Sequence, residues 1–174
     1  MRRKRLIPAF LLLVISSLMP ATAQRQNSVC LDYIATYFQM AQEQMRQYGI
    51  PASITLAQGL EESGAGLSML ATKANNHFGI KVNEDWHGPY VLRDDDHPND
   101  KFRKYEDVKD CFEDHSRFLT RPRYQSLFNL ERTDYKGWAE GLKRCGYATN
   151  PAYAEKLIKL IELYELQKYD ITEE

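Results

Sequence analysis

Leu56-Ala57-Gln58-Gly59-Leu60-Glu61-Glu62-Ser63-Gly64 is the stretch of this 174-residue chain on which the fold reading turns. An apolar helical run closes on two adjacent carboxylates and then on glycine. Pro51 opens the helix at a place where its missing N–H is no loss. Gly64 and Gly66 end it at about Glu62 or Ser63. Adjacent helical residues point about 100° apart, so Glu61 and Glu62 cannot share one task. A carboxylate in the last turn faces the negative end of the helix dipole, which raises its pKa and suits a general acid. The plain alternative is an exposed glutamate pair on a solvated helix end. Helical phasing puts Glu61 nearer the arc of Ile54, Ala57 and Leu60, which would make it the buried carboxylate. A cleft residue should project away from that arc, which favours Glu62.

Upstream, Val29–Tyr48 is predicted as a helix with Ile34, Phe38, Ala41 and Met45 at helical spacing, stopped by Gly49. Downstream, Asn75 to Tyr105 reads as a small β region of about 30 residues. It holds a strand from His77 to Val82, a Gly88-Pro89 turn, a strand Tyr90–Leu92, a polar loop from Asp94 to Asp100, and Phe102–Tyr105 pairing back. Helical texture then returns. Val108, Cys111, Phe112, His115, Phe118 and Leu119 form one stripe, ended by Pro122. Trp138, Leu142 and Cys145 mark a short helix stopped at Gly146. Asn150-Pro151 starts a final helix carrying Ala154, Leu157, Ile158 and Ile161, and the polar tail is expected to fray. The expected fold is α+β, mostly α, with a helical lobe and a small β lobe flanking a cleft.

Composition is that of a globular chain: 27% charged, 43% hydrophobic, net charge −1. The absence of a basic excess argues against a nucleic-acid partner. The chain opens on Arg2, Arg3, Lys4 and Arg5, continues through an apolar run from Leu6 to Leu18, and reaches Ala21-Thr22-Ala23. That is a signal-peptide pattern, and the run is shorter than the ~20 residues needed to span a bilayer. Residues 1–23 are therefore expected to be cleaved, leaving no stable membrane anchor. A catalytic domain of 151 residues (24–174) with a net charge of −5 would remain, exported to the periplasm or cell envelope as a monomer. An acidic domain has no help from overall charge in reaching an anionic wall, so aromatic and hydrogen-bonding contacts should dominate. Cys30, Cys111 and Cys145 admit one disulfide and a free thiol, or three reduced thiols.

A second acidic cluster, Asp94-Asp95-Asp96, follows the Tyr90–Leu92 strand. Glycoside hydrolysis typically needs two carboxylates across a cleft, and a helix-end Glu facing a β-lobe Asp fits. A solvated acidic turn and a calcium loop are the alternatives, the latter lacking a bidentate Glu at the usual spacing. His77, His87 and His97 recur every ten residues but match no zinc motif, and no C-x-x-C exists. No metal and no organic cofactor is expected. His115 reads as a core histidine, and Cys111 and Cys145 as structural thiols. Trp86, Tyr90, Tyr105 and Tyr147 fall where a cleft would be edged, although core packing suits each of them.

These motifs resemble the bacterial endo-β-N-acetylglucosaminidases of the flagellar-rod and autolysin type, glycoside hydrolase family seventy-three. Ala57 to Gly64 is similar to that family's A-Q-x-x-L-E-S-G. Asn75-Asn76-His77-Phe78-Gly79-Ile80-Lys81 is similar to N-N-x-F-G-I-K, and Phe102-Arg103-Lys104-Tyr105 to F-R-x-Y. Phe112 to Leu119 resembles F-x-D-H-x-x-F-L, and Gly146-Tyr147-Ala148-Thr149 resembles G-Y-A-T. The order and spacing agree from about Ile34 to Leu163. The resemblance implies a lysozyme-like fold and hydrolysis of peptidoglycan glycan strands on the reducing side of N-acetylglucosamine. It places the catalytic acid on Glu62, directly before Ser-Gly. Glu61 stands where the family usually has a leucine-like residue. The second acid, often a Glu in the family, falls among Asp94, Asp95 and Asp96, with Asp95 or Asp96 as water activator or charge stabiliser. Asn76, Phe78, Trp86, Tyr105 and Tyr147 are the implied substrate-binding residues. A non-catalytic glycan-binding module and a muramidase are the rival readings.

Overall fold

The computed structural model describes residues 21–171, with side chains from Asn27 onward. The expected signal segment therefore lies outside the described residues, save its last three positions. Those three open α1 (Ala21–Tyr48), which starts earlier than the predicted Val29 because no glycine or proline interrupts residues 21–28. The remaining elements are α2 (Ala52–Ser63), α3 (Met69–Ala74), β1 (Tyr90–Arg93), β2 (Asp100–Arg103), α4 (Val108–Leu119), α5 (Tyr135–Arg144) and α6 (Tyr153–Leu163). Two 3₁₀ segments, Pro122–Asn129 and Leu166–Asp170, join and finish them. Among the described residues no helix is long and apolar enough to cross a membrane.

The fold is organised around α2. Every residue from Ala52 to Leu60 is buried, including the polar Ser53, Thr55 and Gln58. A helix covered on all sides is a core helix, and α1, α5, α6 and the C-terminal 3₁₀ segment surround this one. Gly59 is what allows α1 to approach, since a Cβ there would collide with the Tyr33 hydroxyl.

Both ends of α2 need partners for their open backbone groups. At the C-terminus Gly64 adopts the left-handed conformation (φ 57°) and its N–H returns to Leu60 O. At the N-terminus Pro51 has no capping side chain. Asp170 supplies the cap from the far end of the chain: its Oδ1 accepts from Ser53 N at 2.8 Å and its Oδ2 from Ser53 Oγ at 2.6 Å. The tail expected to fray is thus docked through residue 170, with Leu166 and Asp170 buried.

Between α2 and α4 the sequence reading needs further correction. His77–Val82 is not a strand. Gly79 sits at φ 63°, and the Asn76 amide takes over the local backbone groups, accepting from Ile80 N and donating to Ile80 O and Arg103 O. A single bridge, Lys81 with Phe102, is what remains of sheet pairing there. The short α3 was not anticipated, although its Ser68 cap accepts from Ala71 N as a helix start should. The second strand pair holds. β1 and β2 run antiparallel with Tyr90 opposite Arg103 and Arg93 opposite Asp100, so β2 begins two residues before Phe102 and ends two before Tyr105.

The three later helices follow the predicted stripes, except that α6 begins at Tyr153. Asn150 caps a preceding turn, accepting from Ala152 N through Oδ1 and from Tyr153 N through its carbonyl. His115 is fully buried, stacked on Phe78 with ring centroids 3.8 Å apart. Cys30, Cys111 and Cys145 are all free, the second of the two alternatives the sequence left open. Cys111 instead accepts from His77 N inside the small core of Phe78, Tyr105 and Phe112.

The Asp170 cap carries a pH signature. Burial raises its carboxyl to about 6, against the counter-effect of its bonds to Ser53 and Ala52 N–H. A raised folded-state pKa means that folding favours the protonated form, so this contribution is full below about pH 4 and is lost as pH rises through about 6. Asp170→Asn keeps the shape and removes the ionisation. The stability difference between wild type and this variant, read from urea unfolding, should shift against wild type by about 2 kcal/mol between pH 4 and pH 7. A flat difference would contradict the buried cap.

Candidate active site

The last turn of α2 delivers Glu62 to the wall of a cavity of about 520 Å³ between the two lobes. The floor is the Phe78–Asn83 segment; Phe102, Arg103 and Asp95 come from the β hairpin, and Phe118, Arg121 and Tyr147 from the helical side.

Glu62 has a pKa raised above the ordinary glutamate range, first by burial and then by the charges of Glu61 and Asp95. The Tyr153 hydroxyl and the Lys156 ammonium pull the other way. Gln58 Nε2 donates to Tyr153 Oη at 2.9 Å, which leaves the tyrosine proton free for the Glu62 carboxylate. The Tyr153 ring stacks on Tyr147 at 5.5 Å and 22°. One face of the carboxyl is thus held by a layered arrangement running from α2 to α6. Glu61 is differently placed. It forms a 2.6 Å ion pair with Lys156. Helical phasing does not single out the cavity-lining carboxylate, because α2 is buried on all faces up to Leu60 and offers no solvated arc to phase against.

Across the cavity, Asp95 lies on its wall and is held below the usual carboxylate range, chiefly by its hydrogen bond to Lys81. Lys81 Nζ contacts Asp95 at 2.8 Å, Asp96 at 2.6 Å and Asp100 at 2.8 Å. Asp96 points outward, 78% exposed. Asp94 accepts from Asn99 N at 2.8 Å and shapes the loop. Asp95, Asp96 and Asp100 present oxygens within 4.8 Å of one another, with the Lys81 ammonium bonded to all three. The sequence reading missed Lys81 and Asp100. They lie 19 residues apart, and only the Lys81–Phe102 bridge and the β1–β2 register bring them together.

The predicted site residues separate into three groups. Glu62, Asp95, Phe78 and Tyr147 line one cavity, whereas Asp96 is not part of its lining and touches it only by sharing Lys81. Asn76 lies beneath the floor, its amide spent on Ile80 and Arg103. Trp86 and Tyr105 line a different depression, of about 570 Å³, on the other side of the hairpin. They adjoin the first cavity through the shared core with Phe78 and through Arg103, whose guanidinium lies 4.7 Å from the Trp86 ring centroid and pairs with Asp114 at 2.8 Å. Tyr105 donates to the same Asp114 oxygen.

Residues 38–166 match the family model described as glucosaminidase, mannosyl-glycoprotein endo-beta-N-acetylglucosaminidase. The chain belongs to this glucosaminidase family. The exo-glucosaminidase LytG of Bacillus subtilis is 35% identical over 159 residues, covering 83% of this chain and 54% of that protein. The catalytic domain of the autolysin Auto from Listeria monocytogenes superposes with a TM-score of 0.71 at 25% identity, over 88% of this chain and 99% of that one. The glycoside hydrolase domain of Salmonella typhimurium FlgJ gives 0.67 at 29% identity, over 80% and 90%. The chain spans about half the length of the curated relatives it matches. The family's lysozyme-like architecture, mostly helical with a small sheet, is the fold described above.

The unequal environments of Glu61 and Glu62 are measurable. Carboxyl ¹³C NMR should give Glu62 a titration midpoint above the ordinary value of about 4.3. Tyr153→Phe and Lys156→Met should each move it further up, because each removes an influence that favours the ionised form. A midpoint unchanged in both variants would refute the arrangement.

Proposed function

We propose that this glucosaminidase-family chain is an exported peptidoglycan hydrolase that cuts the β-1,4 bond on the reducing side of N-acetylglucosamine within glycan strands. The observation that carries the reading is the contrast across the cleft: a buried Glu62 whose pKa is raised, facing an Asp95 whose pKa is lowered by Lys81. Two carboxylates pushed apart in this way divide acid and base duties.

In this reading Glu62 holds its proton and gives it to the glycosidic oxygen as the bond breaks. Asp95 remains ionised and serves the opposite face, activating water or stabilising oxocarbenium-like charge. Asp96 supports it by sharing Lys81. Phe78 and Tyr147 form apolar walls for sugar rings. Asn76 acts from below by fixing the Ile80 turn, and Trp86 and Tyr105 act through Arg103. No step calls on a metal or an organic cofactor. The basic and apolar opening of the chain supports export to the envelope, where the substrate lies.

Purified peptidoglycan digested with the protein should release fragments ending in reducing N-acetylglucosamine, identified by mass analysis. Reducing-end N-acetylmuramic acid would mean muramidase action and overturn the bond assignment. Glu62→Gln should lower kcat by about 10²–10⁴-fold, the usual worth of a positioned general acid. Glu61→Gln, which breaks only the Lys156 pair, should stay within a few fold. The reverse pattern would move the acid to Glu61.

A further inference from the structure

The chain is acidic outside residues 1–23, yet the cleft is not. Its wall carries two carboxylates, Glu62 and Asp95, and four cationic side chains: Lys81, Arg93, Arg103 and Arg121. Two of the four are already committed. Lys81 is shared by three aspartates, and Arg103 pairs with Asp114 and donates to Asn83. Arg93 and Arg121 have no carboxylate within ion-pair distance among the described residues, and both are exposed; Arg93 acts on Asp95 only as a more distant charge.

Their placement is specific. Arg93 ends β1, in the β lobe, and its guanidinium lies 5.9 Å from the Phe102 ring centroid. Arg121 follows α4, in the helical lobe, 4.6 Å from the Phe118 ring centroid. Both rings line the same cavity. Stacking on an aromatic face holds a guanidinium in place while leaving its edge donors free. A strand lying between the lobes therefore meets one free guanidinium from each side. A planar fork of N–H donors is suited to bind a carboxylate bidentately.

We propose that Arg93 and Arg121 are specificity residues that bind carboxylates borne by the glycan strand, so that the preferred substrate is an anionic glycan rather than a neutral one. This rests on the hydrolase reading and adds the substrate's charge to it. Two sources share the chemistry: the free carboxylates of stem peptides, and the lactyl carboxylate exposed when those peptides are removed.

The test compares kcat/KM on three forms of one peptidoglycan: native, carboxyl-amidated with carbodiimide and an amine, and stripped of peptides by an amidase. Wild type should favour a form with free carboxylates, native or stripped, over the amidated form by about tenfold. In Arg93→Gln/Arg121→Gln that ratio should fall to about one, while Arg93→Lys/Arg121→Lys, which keeps the charges, should retain most of it. Preference for the stripped strands over the amidated form assigns the lactyl group, and preference for the native wall over the amidated form assigns the peptide. Equal cleavage of all three forms by wild type, or an unchanged ratio in the Gln variant, overturns the proposal. Cleavage of none of the three forms would instead sink the hydrolase reading itself.

Discussion

Complete burial of α2 is the constraint on which the rest of the structure depends. A helix with no solvated face from residue 52 to 60 must find partners within the protein for its open ends. Asp170 closes the N-terminus from 117 residues away, and Gly64 closes the C-terminus locally. Between them, Tyr33 of α1 fits against the missing side chain of Gly59. The first freedom this helix has is its final turn, where Glu61 and Glu62 emerge. The position of Glu62 is therefore inherited from the core, as a site requiring sub-ångström placement demands.

Electrostatics at the cleft follows from the same geometry. Glu62 belongs to the buried helix, so desolvation dominates and its pKa is pushed up. Asp95 stands on an exposed hairpin turn, where desolvation matters less and the Lys81 hydrogen bond dominates. The asymmetry needs no unusual residue, only one acid on the core side and one on the solvent side. Tyr153 adjusts it from α6. By accepting from Gln58 it is oriented to donate to Glu62, which tempers the upward shift without removing it.

The helices were legible in the sequence because their signals are local. Gly49, Gly64 and Gly146 stop helices at positive φ where the sequence placed the stops, and the α4 stripe reads directly as its buried face. The site was legible as far as motif and helix end could carry it, to Glu62 and to a β-lobe aspartate. What failed was everything set by long-range pairing. The Asn76 amide replaces a strand with a turn through bonds to Ile80 and Arg103, 27 residues away. The C-terminal cap, the Lys81 cluster and the Arg103 bridge that removes Trp86 and Tyr105 from the cleft are likewise contacts between distant positions. No periodicity records them.

Net charge says little about the cleft for a related reason. A sum over the chain treats every charge as available, whereas around the cleft several are committed to each other. Lys81 offsets one unit of the charge on three aspartates, Arg103 that of Asp114, and Lys156 that of Glu61. What a ligand meets on the cleft walls includes the guanidiniums of Arg93 and Arg121, from opposite lobes. An acidic domain can therefore still present cationic groups to a bound strand. At physiological ionic strength the screening length is ~8 Å, so the groove's own charges, and not the distant acidic surface, set what a bound strand experiences.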